Sequence, residues 1–168
     1  MLQLKSLFVV AAACLGALAT PLESRDASPA EQQQYLSAHN SFRAQHGAAP
    51  LTWNANLGSK AQQWANRCVF QHSGGSLGPY GENLAAGTGS FPISAAIKLW
   101  TDESSSYNPS NPQPSHFTQV VWKSSTELGC AVAQCPNLLG DGQVAAFYVC
   151  EYSPAGNVIG QFPQNVQP

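Results

Sequence analysis

The stretch Ser115-His-Phe-Thr-Gln-Val-Val-Trp122 follows a proline-containing loop and has a histidine near its start. If it forms a β-strand, successive side chains point to opposite faces of a sheet. One face would then carry His116, Thr118, Val120 and Trp122. We therefore predict a strand over residues 116–123 that presents His116 to a cleft as a metal ligand or proton carrier.

Length and charge limit the kind of protein that this chain can be. Its 168 residues are 43% hydrophobic and 10% charged, which suits a single domain with one ordinary core. The formal net charge is -2 at pH 7. Because binding to nucleic acid requires a basic surface that neutralises phosphates, this balance argues against a nucleic-acid partner.

The N-terminus has the pattern of a secretory signal peptide. Lys5 supplies a positive charge, an apolar run covers residues 7–18, and Ala17-Leu-Ala19 fits a cleavage site. A membrane-spanning helix needs about 20 apolar residues, more than this run or any later one supplies. We predict that residues 1–19 are removed, that 20–27 form a flexible segment, and that 28–168 form one secreted domain without a transmembrane segment.

Helices are predicted in the first two thirds of the chain. Ser28 is followed by a proline and, three residues on, by a glutamate, so a helix should begin there and run to about Gly47. Asn54 can cap a second helix that ends near Arg67, and residues 90–92 open a third. The glycine-rich residues 71–89 between them are expected to be mainly loop, with polar side chains that are either solvated or part of a site.

Strands are predicted in the last third. Besides residues 116–123, the segments 128–134 and 145–152 have strand character, and the turn-rich residues 136–142 between them indicate an antiparallel pair. Helices followed by strands predict an α+β fold, with an antiparallel sheet covered by helices.

Four ionisable residues have no evident structural task, namely His72, Glu82, Glu103 and His116. Two imidazoles and two carboxylates suit zinc or another divalent cation, and they equally suit acid/base catalysis. His39 and His46 differ because they lie among aromatic residues on one helix face, so we interpret them as structural. From the residues alone, the four could also be unrelated positions that do not form one site.

Four motifs, in order along the chain, give it a family resemblance. His116-Phe-Thr-Gln-Val-Val-Trp122 and Phe147-Tyr-Val-Cys-Glu-Tyr-Ser-Pro-Ala-Gly-Asn157 resemble the paired signatures of the CAP superfamily, which comprises cysteine-rich secretory proteins, antigen 5 and pathogenesis-related protein 1. His39-Asn-x-x-Arg43 resembles its first-helix motif and Gly81-Glu-Asn-Leu84 its loop motif. The likeness covers about residues 30–163 and is greatest to fungal pathogenesis-related-1-like proteins.

The resemblance implies a three-layer α-β-α sandwich with a central antiparallel sheet. It also implies that the four ionisable residues, hereafter the tetrad, meet in a central cleft. There His72 and His116 would bind zinc or another divalent cation, with the two glutamates reaching it directly or through water. The alternative is a polar network that only orders the cleft. Glu151 stands where the family commonly has asparagine, and we expect it not to touch the tetrad.

The resemblance implies the disulfide pairing as well. Cleavage after Ala19 would remove Cys14 and leave four cysteines, an even number that suits a secreted protein. By resemblance these pair as Cys68 with Cys135 and Cys130 with Cys150. Two other pairings remain open from the residues alone.

The resemblance points to a secreted carrier of sterols, fatty acids or other small lipids. Residues 107–117 correspond to the loop implicated in sterol binding, and its aromatic ends could close over a flat ring system. We predict that the ligand is contacted by Tyr107, Asn108, Pro109 and Phe117.

Two other functions remain open. One is a metal-dependent hydrolase in which Glu82 or Glu103 acts as general base on a bound water; no nucleophile or oxyanion element is recognisable, so this ranks below lipid binding. The other is a non-catalytic protein that binds a host or other extracellular protein, for which the segment Pro154-Ala-Gly-Asn157 is a candidate surface.

Overall fold

The computed structural model describes residues 26–168. The predicted signal peptide and residues 20–25 of the predicted flexible segment lie outside the described residues. At the start of the described chain, the Ser59 hydroxyl donates to the Asp26 carboxylate (3.2 Å), and the Gln32 amide donates to the carbonyl of Ala27 (2.8 Å). Within residues 26–168, no helix is both long enough and apolar enough to cross a membrane.

The described chain contains five α-helices, one 3-10 helix and four strands. The helices are α1 (Pro29–Gln45), α2 (Ala55–Ala65), α3 (Ile93–Asp102), α4 (His116–Val120) and α5 (Phe162–Asn165), and the 3-10 helix is Glu103–Ser106. The strands are β1 (Thr52–Trp53), β2 (Gly81–Thr88), β3 (Glu127–Pro136) and β4 (Val144–Ser153).

The first two helices begin where their capping residues predict. The Ser28 side chain accepts a hydrogen bond from the Glu31 amide, and the Glu31 carboxylate accepts one from the Ser28 amide (2.8 Å), which is a complete capping box. The Asn54 side chain accepts from the amides of Asn56 and Leu57 at the start of α2.

The sheet has the strand order β1-β3-β4-β2. Strands β3 and β4 pair antiparallel around a hairpin turn, as the sequence predicts, and β2 pairs antiparallel with the other edge of β4. The two-residue strand β1 pairs parallel with β3. All of β2 lies in the glycine-rich segment 71–89 that we expected to be mainly loop, so Glu82 lies in the sheet and not on a loop.

The strand predicted over residues 116–123 is wrong. Residues 116–120 form helix α4, whose start is fixed by a second capping box. The Ser115 hydroxyl accepts from the Thr118 amide (3.1 Å), and the Thr118 hydroxyl accepts from the Ser115 amide (2.9 Å). The two faces that a strand would have are also absent, because the side chains of residues 117–122 are all buried.

Two buried layers flank the sheet. One lies between the sheet and helices α1 and α3 and contains Tyr35, Trp100 and Tyr148. The other lies between the sheet and α2 and contains Trp64 and Phe147. This arrangement confirms the predicted α-β-α sandwich.

Both disulfides are those implied by the family resemblance. Cys130 and Cys150 face each other directly across β3 and β4, with their Cα atoms 4.1 Å apart. Cys68, which follows α2, is bonded to Cys135 near the end of β3, with Cα atoms 5.3 Å apart. One bond therefore joins strand to strand, and the other joins the sheet to the segment after α2.

Helix α4 is held from its C-terminal side by Arg43 of α1. The buried guanidinium donates to the carbonyl oxygens of Val120 (2.8 Å), Trp122 (2.9 Å) and Ser125 (2.9 Å). The Val120 carbonyl ends the helix and has no further turn to accept from, and the arginine ties it to the carbonyls of the turn that follows. The first-helix motif thus positions the short helix that carries His116.

Candidate functional site

The tetrad forms two histidine–carboxylate pairs that line one cleft of about 750 Å³. His72 Nδ1 lies 2.6 Å from Glu82 Oε1, and His116 Nδ1 lies 2.6 Å from Glu103 Oε1. A carboxylate can only accept, so each Nδ1 carries the proton in a neutral imidazole and leaves Nε2 with a free lone pair. The pairs therefore fix the orientation of two imidazoles in the cleft.

Glu103 connects the end of α3 to the start of α4. Its Oε2 accepts from the backbone amides of His116 (2.8 Å) and Phe117 (3.2 Å), while its Oε1 contacts the His116 ring. A carboxylate at a helix N-terminus is favoured by the unpaired amides and by the helix dipole. One side chain thus fixes both the backbone and the ring of His116.

Glu82 is held from the sheet side of the cleft. Its side chain is 7% exposed, whereas that of His72 is 61% exposed. Glu82 Oε1 accepts from the Ser73 amide at 2.9 Å as well as contacting His72. The buried carboxylate therefore orders the loop that follows α2 and presents an accessible imidazole.

Glu151 touches the tetrad, contrary to our expectation. It lies directly opposite Glu82 in the pairing of β2 and β4 and is 1% exposed. Glu151 Oε1 and Glu82 Oε2 are both buried, and neither accepts a hydrogen bond from any donor among the described residues. Burial, reinforced by the neighbouring Glu82 carboxylate, raises the pKa of Glu151 to about 9. Glu151 therefore holds its proton at neutral pH, and sharing that proton with Glu82 would satisfy both unpartnered oxygens. The sequence signal was an acidic residue beside a cysteine in a buried strand, where it must find a partner.

A buried chain of hydrogen bonds leads from α1 to the cleft. His39 Nδ1 donates to the Tyr35 carbonyl (2.8 Å), and its Nε2 accepts from the Tyr152 hydroxyl (2.8 Å). The Tyr152 oxygen accepts from Asn83 Nδ2 (3.2 Å), which also donates to the His116 carbonyl (3.1 Å). Burial lowers the pKa of His39 to about 4, so this histidine is neutral, in keeping with the structural role that we assigned to it.

The predicted lipid-binding residues lie in different environments. Tyr107 and Asn108 line the cleft, and Pro109 is exposed. Phe117 is fully buried, with its ring centroid 6.0 Å from that of Phe42 and 5.5 Å from that of Tyr107. Phe117 therefore packs against the Tyr107 ring, and of the two aromatic ends of the loop only Tyr107 lines the cleft.

Asn157 closes the cleft from the C-terminal segment. Its side chain accepts from the Thr118 hydroxyl (2.6 Å) and donates to the Ser115 carbonyl (3.0 Å), both at the start of α4. The neighbouring Gly156 amide donates to Gln119 Oε1 (2.9 Å), and a Cβ at Gly156 would lie only 2.7 Å from Gln119 Nε2. Asn157 is thus a fixed part of the cleft wall, held in place together with the segment that precedes it.

Within the described part of the chain, no group of three or more His, Cys, Asp and Glu side chains is gathered so that it could hold a metal ion. The cleft instead contains two separate histidine–carboxylate pairs, and a hydrogen bond joins the two side chains of each pair.

The protein is thus an α-β-α sandwich with two histidine–carboxylate pairs in a polar cleft. Comparison with known proteins shows the family to which it belongs. The model of the cysteine-rich secretory protein family, CAP, matches residues 36–152. The chain is 39% identical over 165 residues to pathogenesis-related protein 1 of Arabidopsis thaliana, covering 94% of each. It is 41% identical over 161 residues to fruiting body protein SC14 of Schizophyllum commune, covering 87% of this chain and 73% of SC14. The chain belongs to the CAP family.

Solved structures of similar proteins agree with the fold. The structure of NaASP2 with Zn2+ has a TM-score of 0.64 and 25% identity, and the match covers 79% of this chain and 84% of that one. The structure of MpPR-1i has a TM-score of 0.58 and 25% identity, covering 77% and 91% respectively. The predicted family and sandwich fold are confirmed.

Proposed function

We propose that the protein is secreted and acts as an extracellular binding protein, which holds a divalent cation in its cleft and carries a small hydrophobic ligand such as a sterol or fatty acid. The observation that carries the proposal is the pair of preoriented imidazoles, each fixed through Nδ1 by a carboxylate and both facing one cleft. Secretion is supported by the family and by two disulfides, which persist in oxidising compartments.

The donor set fits a divalent cation such as zinc. His72 and His116 would hold it, because their orienting hydrogen bonds to carboxylates are those that metal-binding histidines commonly make. Glu82 and Glu103 would compensate its charge. A bound cation would supply a fixed positive centre able to attract an anionic or polar ligand group. The similarity to NaASP2, whose structure contains Zn2+, supports this choice of metal.

The proposed hydrophobic ligand has two possible positions. The first is the cleft end of the 107–117 loop, where the Tyr107 ring is supported by buried Phe117. The second is a groove of about 450 Å³ between α1 and α3, whose floor includes Ala38, Pro92 and Ile93. A concave and mainly apolar surface is what a small lipid requires.

The cleft favours binding over hydrolysis because neither tetrad carboxylate is free to act as a base. Glu103 uses one oxygen on the His116 ring and the other on two backbone amides. Glu82 uses Oε1 on His72 and on the Ser73 amide, and its Oε2 is buried, out of reach of water in the cleft. A general base must be within reach of a water proton and have a lone pair to accept it.

Zinc binding tests the cation part of the proposal. We expect the double variant H72A/H116A to lose zinc binding in calorimetry, because it lacks both imidazoles. The matched control is H46A, since His46 contacts the Gln167 carbonyl outside the cleft. Equal zinc affinity in the double variant and the control would overturn the assignment of the site.

Sterol binding tests the loop. Truncation of Tyr107 should weaken binding of a radiolabelled sterol if the loop is the site, by about tenfold for the loss of an aromatic contact. The control Y80A removes a partly exposed tyrosine that does not line the cleft. If Y107A binds normally and A38W, which fills the groove between α1 and α3, does not, then the groove is the site. Normal sterol binding by both Y107A and A38W would contradict both proposed positions.

A further inference from the structure

One arm of the cleft, formed by the 106–113 loop and hereafter the amide arm, is chemically unlike the tetrad. It is lined by Ser106, Tyr107, Asn108, Asn111 and Gln113. Its polar groups are neutral, and Tyr107 is its only aromatic residue. These neutral donors and acceptors suit a ligand that carries many hydroxyl groups of its own.

Several of these polar groups are available to a ligand. Asn108 uses its Oδ1 to accept from the Ser110 amide (2.9 Å), and Asn111 uses its Oδ1 to accept from Gln113 Nε2 (3.2 Å). Within residues 26–168, no hydrogen bond engages Nδ2 of Asn108, Nδ2 of Asn111 or the Tyr107 hydroxyl. The internal bonds fix the two asparagines by their oxygens and leave their Nδ2 donors unpaired among the described residues.

We propose that the amide arm binds a neutral oligosaccharide. Each sugar hydroxyl both donates and accepts, and so do the amide and hydroxyl groups of the arm. The Tyr107 ring, supported by Phe117 at a centroid distance of 5.5 Å, offers an apolar surface for the C–H face of a sugar ring. The cleft volume of about 750 Å³ is within the range of small-ligand sites.

The charge of the cleft selects against an anionic sugar or a phosphate. No lysine or arginine is among the described residues that line it, whereas Glu82 and Glu103 are. An extended peptide that binds by strand addition is also disfavoured, because residues 106–113 contain no strand whose edge it could join. The proposal goes beyond the carrier function and needs no bound cation.

The test is an NMR titration of the ¹⁵N-labelled protein, produced by secretion and treated with EDTA to remove any cation. The probes are laminarihexaose, cellohexaose and chitohexaose, with hexagalacturonate as the anionic comparison and an extended decapeptide as the peptide comparison. We expect at least one neutral hexasaccharide to shift the side-chain amide signals of Asn108 and Asn111, and neither comparison probe to do so.

Variants locate the binding. N111A/Q113A removes two amides of the arm and should weaken binding of the responding sugar by about tenfold or more. Q33A, which removes an exposed amide on α1, should leave it unchanged. Zinc affinity should be equal in all these proteins, so a failure here is distinguishable from a failure of the cation proposal.

Three results would overturn the proposal. They are the absence of shifts with all three neutral sugars, tighter binding of hexagalacturonate or the peptide than of any neutral sugar, and full sugar affinity in N111A/Q113A.

Discussion

Single buried polar atoms decide how the cleft is held. The Tyr152 hydroxyl, fully buried, joins His39 on α1 to Asn83 on β2, and Asn83 in turn bonds the carbonyl of His116. Such a network is stabilising only while each member has a partner, because an unpaired polar group in a core keeps its desolvation penalty. A residue in the interior can therefore affect the site without lining it.

Substitution of Tyr152 by phenylalanine tests this network. Y152F should lower the free energy of unfolding by about 1–3 kcal/mol, because His39 Nε2 then has no partner and Asn83 loses one of two. The measurement is chemical denaturation at pH 7. The matched control is Y148F, because the Tyr148 hydroxyl has a single partner, the Phe91 carbonyl (2.8 Å). A larger loss in Y148F than in Y152F would contradict the network.

At the scale of elements, α4 is the piece on which the cleft depends. It is only five residues long, too short to be stable by itself. Its order comes from its ends: the Ser115 capping box and Glu103 at one end, and Arg43 at the other. Because His116 is the first residue of the helix, its imidazole direction follows from the cap.

Substitution of Ser115 by alanine tests that dependence. S115A should cost about 1 kcal/mol of stability, as the loss of an N-terminal cap usually does, and should also weaken zinc binding if His116 is a ligand. S28A removes the equivalent capping box of α1, far from the cleft, and should cost a similar amount with unchanged zinc affinity. Denaturation curves and calorimetry give the two quantities. Equal zinc affinity in S115A and S28A would show that the cap does not position His116.

The same elements show what the sequence could predict. Ser28 and Asn54 are local signals, so the starts of α1 and α2 follow directly from them. Residues 116–120 were wrongly predicted as a strand because a five-residue helix that is buried on several sides shows no helical periodicity in its sequence. The capping pair Ser115 and Thr118 was the local signal for this helix.

Local sequence patterns could not predict that the four residues of the tetrad meet. Its members come from a loop, an edge strand, a 3-10 helix and a short helix, and contacts between such distant positions are set by the packing of the whole fold. Their meeting in one cleft was implied only by the family motifs. Glu151 was missed because its partner is defined by the register of β2 on β4, and β2 itself was not predicted.

At the scale of the whole molecule, two buried groups dominate the expected dependence of stability on pH. His39 has a folded-state pKa of about 4, below its ordinary 6.5, so the unfolded state binds one more proton between those values. Glu151 has a folded-state pKa of about 9, above its ordinary 4.5, so the folded state binds one more proton between those values. Stability rises with pH where the unfolded state holds more protons and falls where the folded state does.

These two shifts predict an asymmetric profile. Between about pH 4.5 and 6.5 the effects of His39 and Glu151 oppose each other, and their combined contribution should vary little. Above pH 6.5 only Glu151 acts, and stability should fall with a slope of up to about 1.4 kcal/mol per pH unit until pH approaches 9. In E151Q the side chain cannot ionise and can still donate to Glu82, so the decline above pH 6.5 should disappear and the variant should be more stable than the wild type at pH 8. Urea denaturation of metal-free protein from pH 5 to 9 measures both curves. A decline of equal slope in E151Q would mean that Glu151 does not hold the buried proton and that another group causes the loss of stability.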